Sequence, residues 1–227
     1  MQQYLYETHL HTSPVSRCAS ADVSESLEYY RSLGYDGVFI TNHFIDGNIG
    51  CECGLTYEEK IHFYFSDYEM AVKIGQEIGI SVFCGIESTY LGTDFLIYGL
   101  NKTWFLSHPE ITDMKRSQML TFMAQNGALI IQAHPFREAP YIDHIRLFPR
   151  HVHGVEIYNA GRSDKENDMA KAYAENYGLI HFAGSDNHCG NKQKRLAGML
   201  SSFKIVNEND FIKRIMNNEM TPFIHSI

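Results

Sequence analysis

Short apolar segments alternate with longer amphipathic segments along almost the whole chain. The short segments have the length and composition of β-strands, and several of the longer ones end at a glycine, which is a common helix terminus. The predicted strands are 4–8, 37–41, 80–85, 95–98, 128–132, 154–157, 179–183 and 202–206, and the predicted helices are 21–33, 57–78, 113–125, 165–177 and 210–217. This alternation is typical of parallel β/α units, and about seven such units predict an α/β barrel.

Residue types that bind metals accompany the ends of these predicted strands. His9 and His11 lie at the end of the first apolar segment, and Asp186 and His188 follow the strand 179–183. Because alternate side chains of an extended backbone point the same way, each pair presents two ligands to one side. Three further candidates follow intervening strands: His43, Glu87 and His134. Barrel active sites lie at the carboxyl ends of the strands, so we expect these side chains to meet there.

Imidazole and carboxylate ligands suit zinc, manganese and iron, and a catalytic site leaves a position open for water. Each candidate also has a purely structural interpretation when taken alone. Glu87 fits a buried carboxylate paired with an arginine, and Asp186 fits a capping residue. Their joint placement on one face favours a metal cluster. Asp94 precedes the strand 95–98, and its spacing alone predicts a turn residue.

The composition limits the domain organisation, the classes of binding partner and the cellular location that we expect. The 227 residues show no compositional break, which predicts a single domain over 1–227. A net charge of −8 argues against a broad nucleic-acid or membrane surface, although bound divalent cations would still attract an anionic substrate. There is no secretory-signal pattern at the start and no apolar run of membrane-spanning length, and five cysteines fit a reducing compartment. We therefore expect a cytoplasmic protein.

Six short motifs, in order, resemble those of the PHP (polymerase and histidinol phosphatase) family. They are ETHLHTS at 7–13, GYDGVFITNH at 34–43, GIE at 85–87, AHP at 133–135, GVEIYN at 154–159 and AGSDNH at 183–188. The resemblance covers nearly the whole chain. It implies a distorted (β/α)7 TIM-like barrel, a trinuclear centre holding two or three divalent transition-metal ions (Zn, Mn or Fe), and usually phosphoesterase activity.

The resemblance also implies which residues bind each ion. The ligands of the first ion would be His9, His11, Glu87 and Asp186. The ligands of the second would be the bridging Glu87, His134 and Asp94, which stands where the family usually has a histidine. The ligands of the third would be His43 and His188. Among these residues, Glu87, Asp186 and His188 are the predicted catalytic groups.

The chain departs from the family pattern at two positions. The family often has an aspartate in a Ser-Asp-Gly segment after the first motif, where this chain has Ser16-Arg17-Cys18. Cys18 is therefore either an additional soft ligand of the third ion or an inert loop thiol. Without a ligand at this position, the third ion would be held weakly. Asn42 replaces an aspartate before His43, which we expect to alter ligand orientation and not ligation itself.

The predicted reaction is hydrolysis of a small phosphomonoester or phosphodiester by a metal-activated hydroxide. Arg17, Arg137 and Arg162 follow ligand-bearing strands and are either phosphate-binding groups or exposed loop charges. The expected partner is a small phosphorylated substrate, such as histidinol phosphate, or a short oligonucleotide. We expect no membrane partner and no obligatory protein partner.

Two other functions stay open. Amidohydrolase-like barrels also place H-x-H on the first strand and an aspartate on a late strand, and they cleave C–N or ester bonds. A degenerate PHP barrel could instead serve as a non-catalytic binding module. The retained ligand pattern favours the phosphoesterase over both.

Overall fold

The computed structural model describes residues 2–226, with the side chains of 2–225. Within that range a mixed sheet of nine strands curves into a nearly closed barrel. The strands are β1 (Tyr4–Leu10), β2 (Gly37–Ile40), β3 (Ser81–Tyr90), β4 (Thr93–Tyr98), β5 (Leu129–Ala133), β6 (Gly154–Asn159), β7 (Ile180–Gly184), β8 (Arg195–Ser201) and β9 (Met220–Ser226). The helices are α1 (Val23–Ser32), α2 (Tyr57–Ile78), α3 (Lys102–Ser107), α4 (Arg116–Gln125), α5 (Asp164–Tyr177) and α6 (Glu208–Met216).

The sheet has the order β7-β6-β5-β4-β3-β2-β1-β8-β9. Strands β1 to β3 are parallel, as are β5 to β7, whereas β4, β8 and β9 run antiparallel to their neighbours. Contacts between the ends of β1 and β7 bring the barrel close to closure. The Thr8 hydroxyl donates to the carbonyl of Ala183, and the Asn187 N–H donates to the carbonyl of His9 over 3.3 Å.

The α/β barrel is confirmed, but its sheet is less regular than the sequence predicts. The segment 202–206 is not a strand; the strand is β8, which ends at Ser201. Ile205 is buried because it packs under the barrel on the way into α6, and this burial produces a strand-like apolar pattern. Strand β9 and helix α3 are absent from the prediction, and β3 continues through Glu87 instead of ending before it.

Local signals explain the ends of the long helices. Helix α2 begins with a capping box between Thr56 and Glu59 and ends at Gly79, whose left-handed backbone terminates it. Helix α5 likewise begins with a capping box, between Ser163 and Glu166, and ends at the left-handed Gly178. Among residues 2–226, no helix combines the length and the apolarity needed to cross a membrane.

The interior of the barrel changes character from one end of the strands to the other. On β3, Phe83 and Glu87 share one face because they are four residues apart. Phe83 packs in the apolar cluster at the amino end, and Glu87 lies at the other end among histidines. Phe211 of α6 closes the apolar end, with its ring 4.2 Å from that of Phe39 between centroids. The polar end is therefore the one that is open to a cleft.

Candidate metal centre

The end of β1 brings its two histidines into the barrel. The pairing of β1 with β2 shifts register between Glu7 and Leu10, an irregularity that is common beside active sites. His9 and His11 then lie side by side, with their Nε2 atoms 3.1 Å apart. Both residues are fully buried.

Residues from four strand ends complete the cluster around this pair. Three groups have ligand atoms that all lie within 4.8 Å of one another: His9, Glu87 and His134; His9, His11 and Asp186; and His11, His43 and His188. Glu87 lies at the centre, with Oε1 3.1 Å from His9 Nε2 and 3.3 Å from His134 Nε2. Its Oε2 lies 3.4 Å from His11 Nε2. The position of Glu87 suits a ligand shared between ions.

Asp186 and Asp94 flank the cluster. Asp186 Oδ1 lies 3.5 Å from the Nε2 atoms of both His9 and His11. Asp94 lies farther out, with Oδ2 3.9 Å from His134 Nε2 and 3.2 Å from Nη1 of Arg137. Asp94 is thus close enough to join His134, but an arginine competes for the same oxygen.

The hydrogen bonds behind His9 determine where its lone pair points. His9 Nδ1 donates to Oε1 of Glu156 over 2.9 Å, so Nε2 carries the lone pair that faces the cluster. Oε2 of Glu156 accepts from the backbone N–H of His134 and from Asn159 Nδ2. A Cβ at Gly184 would lie 2.5 Å from the Cβ of His9 and 2.7 Å from Glu156 Oε1. Only glycine therefore leaves room for this pair.

A chain of neutral groups determines the tautomer of His11. Asn42 Oδ1 accepts from the Thr12 N–H over 2.6 Å and from the Ser16 hydroxyl over 2.8 Å. Because Ser16 has a single proton and gives it to Asn42, its Oγ accepts from His11 Nδ1, 2.9 Å away. The Asn42 amide in turn donates to Asp67 on α2. His11 Nε2 is thereby left with its lone pair toward the cluster.

These tautomers provide a test of whether cations fit the cluster. When both imidazoles are neutral, their Nε2 lone pairs face each other over 3.1 Å and can bind a common cation, whereas without a cation a proton on His9 Nε2 would join the two atoms. Glu87 Oε2 and His43 Nδ1 are 2.7 Å apart, yet their geometry is not that of a hydrogen bond, and neither has another partner among residues 2–225. Buried polar atoms without hydrogen-bond partners are costly, and bound metal ions would satisfy both of these atoms.

The cluster also concentrates charge away from water. Burial raises the pKa of Glu87, but the neighbouring imidazoles, with His43 foremost, outweigh burial and hold it well below its usual range. Burial lowers the pKa of His9, but the surrounding carboxylates, with Glu156 foremost, raise it well above its usual value. The carboxylates therefore need positive charge beside them, either protons on imidazoles or bound cations.

Two of the cluster residues have a backbone conformation that is rare for residues other than glycine. His134 has φ of 24° and Asp186 has φ of 53°. Such residues cost free energy and persist where the surrounding structure holds them. At Asp186 this turn leads the chain directly from β7 to His188, whose Nδ1 donates to the Asp186 carbonyl over 2.9 Å.

A cleft of about 890 Å³ opens onto the cluster, a size suited to a small metabolite. Arg137 and Arg162 line it, whereas Arg17 does not; the Arg17 guanidinium donates to the carbonyl of Cys51. Arg162 Nη2 lies 4.0 Å from Asp186 Oδ2, and its buried Nε has no hydrogen-bond partner among residues 2–225. Tyr141 is 67% exposed at the mouth, with Arg137 over its ring.

The sequence matches no known family model and no curated protein. Solved structures, however, share the fold. A two-domain protein from Bacteroides vulgatus that contains a predicted PHP-like metal-dependent phosphoesterase aligns with a TM-score of 0.71 and 12% identity over 99% of this chain. The chain spans only 65% of that protein. This chain has a PHP-type fold.

Two further solved structures share the fold. A candidate metal-dependent phosphoesterase from Bifidobacterium adolescentis aligns with a TM-score of 0.57 and 13% identity, over 92% of this chain and 94% of its own. An amidohydrolase from Chromobacterium violaceum with bound sulfate and no metal aligns with a TM-score of 0.54 and 11% identity, over 95% and 97%. At these identities the likeness concerns the fold, which places the buried histidines and carboxylates in a PHP-type barrel.

Sequence reasoning missed the residues that support the cluster of this PHP-type barrel. Glu156 lies within the GVEIYN motif, where a charged residue inside a short apolar strand is a usable signal. Ser16 and Asp67 carry no such signal, because their role depends on contacts between the first loop and α2.

Proposed function

We propose that this protein is a metal-dependent phosphoesterase that hydrolyses a small phosphomonoester or phosphodiester. The observation that carries the proposal is the buried pair of His9 and His11, whose Nε2 atoms lie 3.1 Å apart and next to Glu87 and Asp186, which line a cleft together with two arginines. This combination joins a donor set for several cations to groups that recognise phosphate.

The chain's own residues have two tasks in this reaction. The buried histidines and carboxylates would hold the ions, with Glu87 central among them because its oxygens lie near both His9 and His11. Divalent cations bound there would supply a nucleophile from water at neutral pH and neutralise charge on the phosphoryl oxygens. Arg162 and Arg137 line the cleft and would orient the phosphate.

Phosphate release after loading with manganese, zinc or iron, each supplied separately, is the direct test. It would be measured on a panel of metabolites, with histidinol phosphate included, and on short oligonucleotides. We expect turnover by the loaded protein, and loss of both metal and turnover in the double variant His9→Ala/His11→Ala, because two lone pairs at the centre are removed.

The matched control for this test is His62→Ala/His144→Ala, since these side chains are 52% and 70% exposed and lie outside the cluster. Near-ultraviolet circular dichroism would show that both double variants are folded. Full activity in the His9→Ala/His11→Ala variant would contradict the proposal. A protein that binds no metal under any of the three conditions would instead support the non-catalytic binding module.

The competing hypothesis is an amidohydrolase-type reaction, because the Chromobacterium violaceum structure of the same fold is described as an amidohydrolase. Parallel assays with an aryl phosphate, a bis-aryl phosphodiester and an amide or ester separate the two. Turnover of only the amide or ester would reverse the assignment. The cytoplasmic location stays a prediction.

A further inference from the structure

The donor set changes at the edge of the cluster that faces the cleft. Cys18 lines the cleft beside two of the candidate ligands. Its Sγ lies 3.1 Å from Nε2 of His43, and the side chains of Cys18 and His188 are close enough for their charges to interact. A thiol therefore lies beside two imidazoles, where an oxygen ligand would be expected in a site for harder cations.

The loop that carries Cys18 is fixed on both sides. The Arg17 N–H donates to the carbonyl of Asn48 over 3.0 Å, and the Ala19 N–H donates to the carbonyl of Ser16 over 3.0 Å. The Ser20 N–H donates to the carbonyl of His188 over 2.7 Å, which ties the loop to the end of the AGSDNH segment. The backbone therefore holds the thiol against His43 and His188.

The neighbouring groups point to a cation and not only to hydrogen bonding. His188 uses Nδ1 to donate to the Asp186 carbonyl, so its Nε2 retains a lone pair, as Nε2 of His11 does. The ligand atoms of His11, His43 and His188 lie within 4.8 Å of one another. Glu87 is only 1% exposed, and its Oε2 lies 2.7 Å from Nδ1 of His43 and 3.4 Å from Nε2 of His11, so it places negative charge beside this group.

We propose that Cys18 joins His11, His43 and His188 in a thiolate-containing site for one divalent ion, with a preference for zinc over manganese. The inference rests on the proposed function for the ions held next to it. A soft sulfur ligand with imidazoles suits zinc, whereas manganese prefers carboxylate, carbonyl and water oxygens. The chain would thus combine an outer zinc-type site with an inner site of mixed histidine and carboxylate ligands.

Cobalt substitution tests this site by a readout that does not depend on activity. A thiolate bound to cobalt gives a charge-transfer absorption band in the near ultraviolet, and imidazole and carboxylate ligands do not. We expect the band in the wild-type protein and its loss in Cys18→Ser, together with loss of one bound ion per chain. Cys18→Asp should keep that ion without the band, and in competition it should take up manganese in place of zinc more readily than the wild type.

The control variant is Cys53→Ser, because Cys53 is an exposed thiol outside the cleft lining. A band that survives in Cys18→Ser, or that is absent from cobalt-loaded wild-type protein, would overturn the inference. Turnover of phosphate esters without the band would refute this site and leave the proposed function standing. A band without turnover of any phosphate ester would support this site and refute the function.

Discussion

The two ends of the barrel interior use the same strands for opposite purposes. At the amino ends, aromatic rings pack tightly, and Phe211 lies 4.2 Å from Phe39 and 5.4 Å from Tyr98 between ring centroids. At the carboxyl ends, the same strand faces present imidazoles and carboxylates. Strand β3 shows the contrast most directly, because Phe83 and Glu87 project from one face of it.

The difference separates stability from chemistry. Burial of aromatic side chains stabilises the folded state. Burial of histidines and carboxylates instead costs free energy, because these groups lose their hydration. The left-handed backbone at His134 and Asp186 adds to the cost at the polar end. We infer that the apolar end stabilises the barrel and thereby holds the buried imidazoles and carboxylates together in an arrangement suited to bound cations.

The largest effect is expected at the apolar end. Phe211→Ala removes a fully buried ring in contact with three other aromatic residues, so the free energy of unfolding should fall by about 3–5 kcal/mol. Urea unfolding would measure it, and the folded fraction should still bind metal. The control is Phe203→Ala, since Phe203 is 51% exposed. Equal losses from the two variants would break the division between the two ends.

A smaller effect is expected at the polar end, where metal affinity should change and stability should not. Glu156 accepts hydrogen bonds from His9 Nδ1, from the His134 N–H and from Asn159 Nδ2. Glutamine has a single acceptor oxygen, so in either orientation of the Glu156→Gln amide, its NH2 group faces a donor. Metal affinity or activity should fall about 10–100-fold.

The change in stability should be small in this variant, because no ring or methyl group is removed. Metal titration followed by urea unfolding would separate the two readouts. Glu77→Gln on the exposed face of α2 is the matched control. A loss of stability without a loss of metal affinity would show that Glu156 supports the fold and not the cluster.

The sequence could predict the residues of the cluster but not the groups that orient them. His9, Glu87 and Asp186 belong to short motifs at strand ends, where local order is enough to predict a common face. Asp67 and Thr12 are 55 residues apart, and their contact depends on how α2 packs against the first loop. Long-range packing of this kind leaves no periodic signal.

The same limit applies to the fold. Alternation of strands and helices predicts an α/β barrel, since each unit is local. The antiparallel pairing of β8 with β1 is not local, because the two strands lie near opposite ends of the chain, and β9 joins the sheet by pairing with β8. The apolar residues Ile205 and Val206 predict a strand at 202–206, whereas the structure has a loop there that leads into α6.

The smallest effect concerns the one histidine that serves the fold at the amino end of β6. His153 Nδ1 accepts the Ile130 N–H over 3.0 Å, and burial lowers the pKa of His153. The folded state thus favours the neutral imidazole, so its contribution to stability is complete above the ordinary pKa of 6.5 and is lost as the pH falls below it.

His153→Asn offers Oδ1 to the same N–H and cannot take up a proton there. The variant should therefore lose less stability than the wild type on acidification, by at most about 1 kcal/mol, the usual net contribution of a hydrogen bond. Urea unfolding of both proteins at a series of pH values measures the difference, with the exposed His62→Asn as control. Identical pH dependence in wild type and His153→Asn would show that the amino end, too, tolerates a charged histidine, and the contrast between the two ends would then rest on the aromatic rings alone.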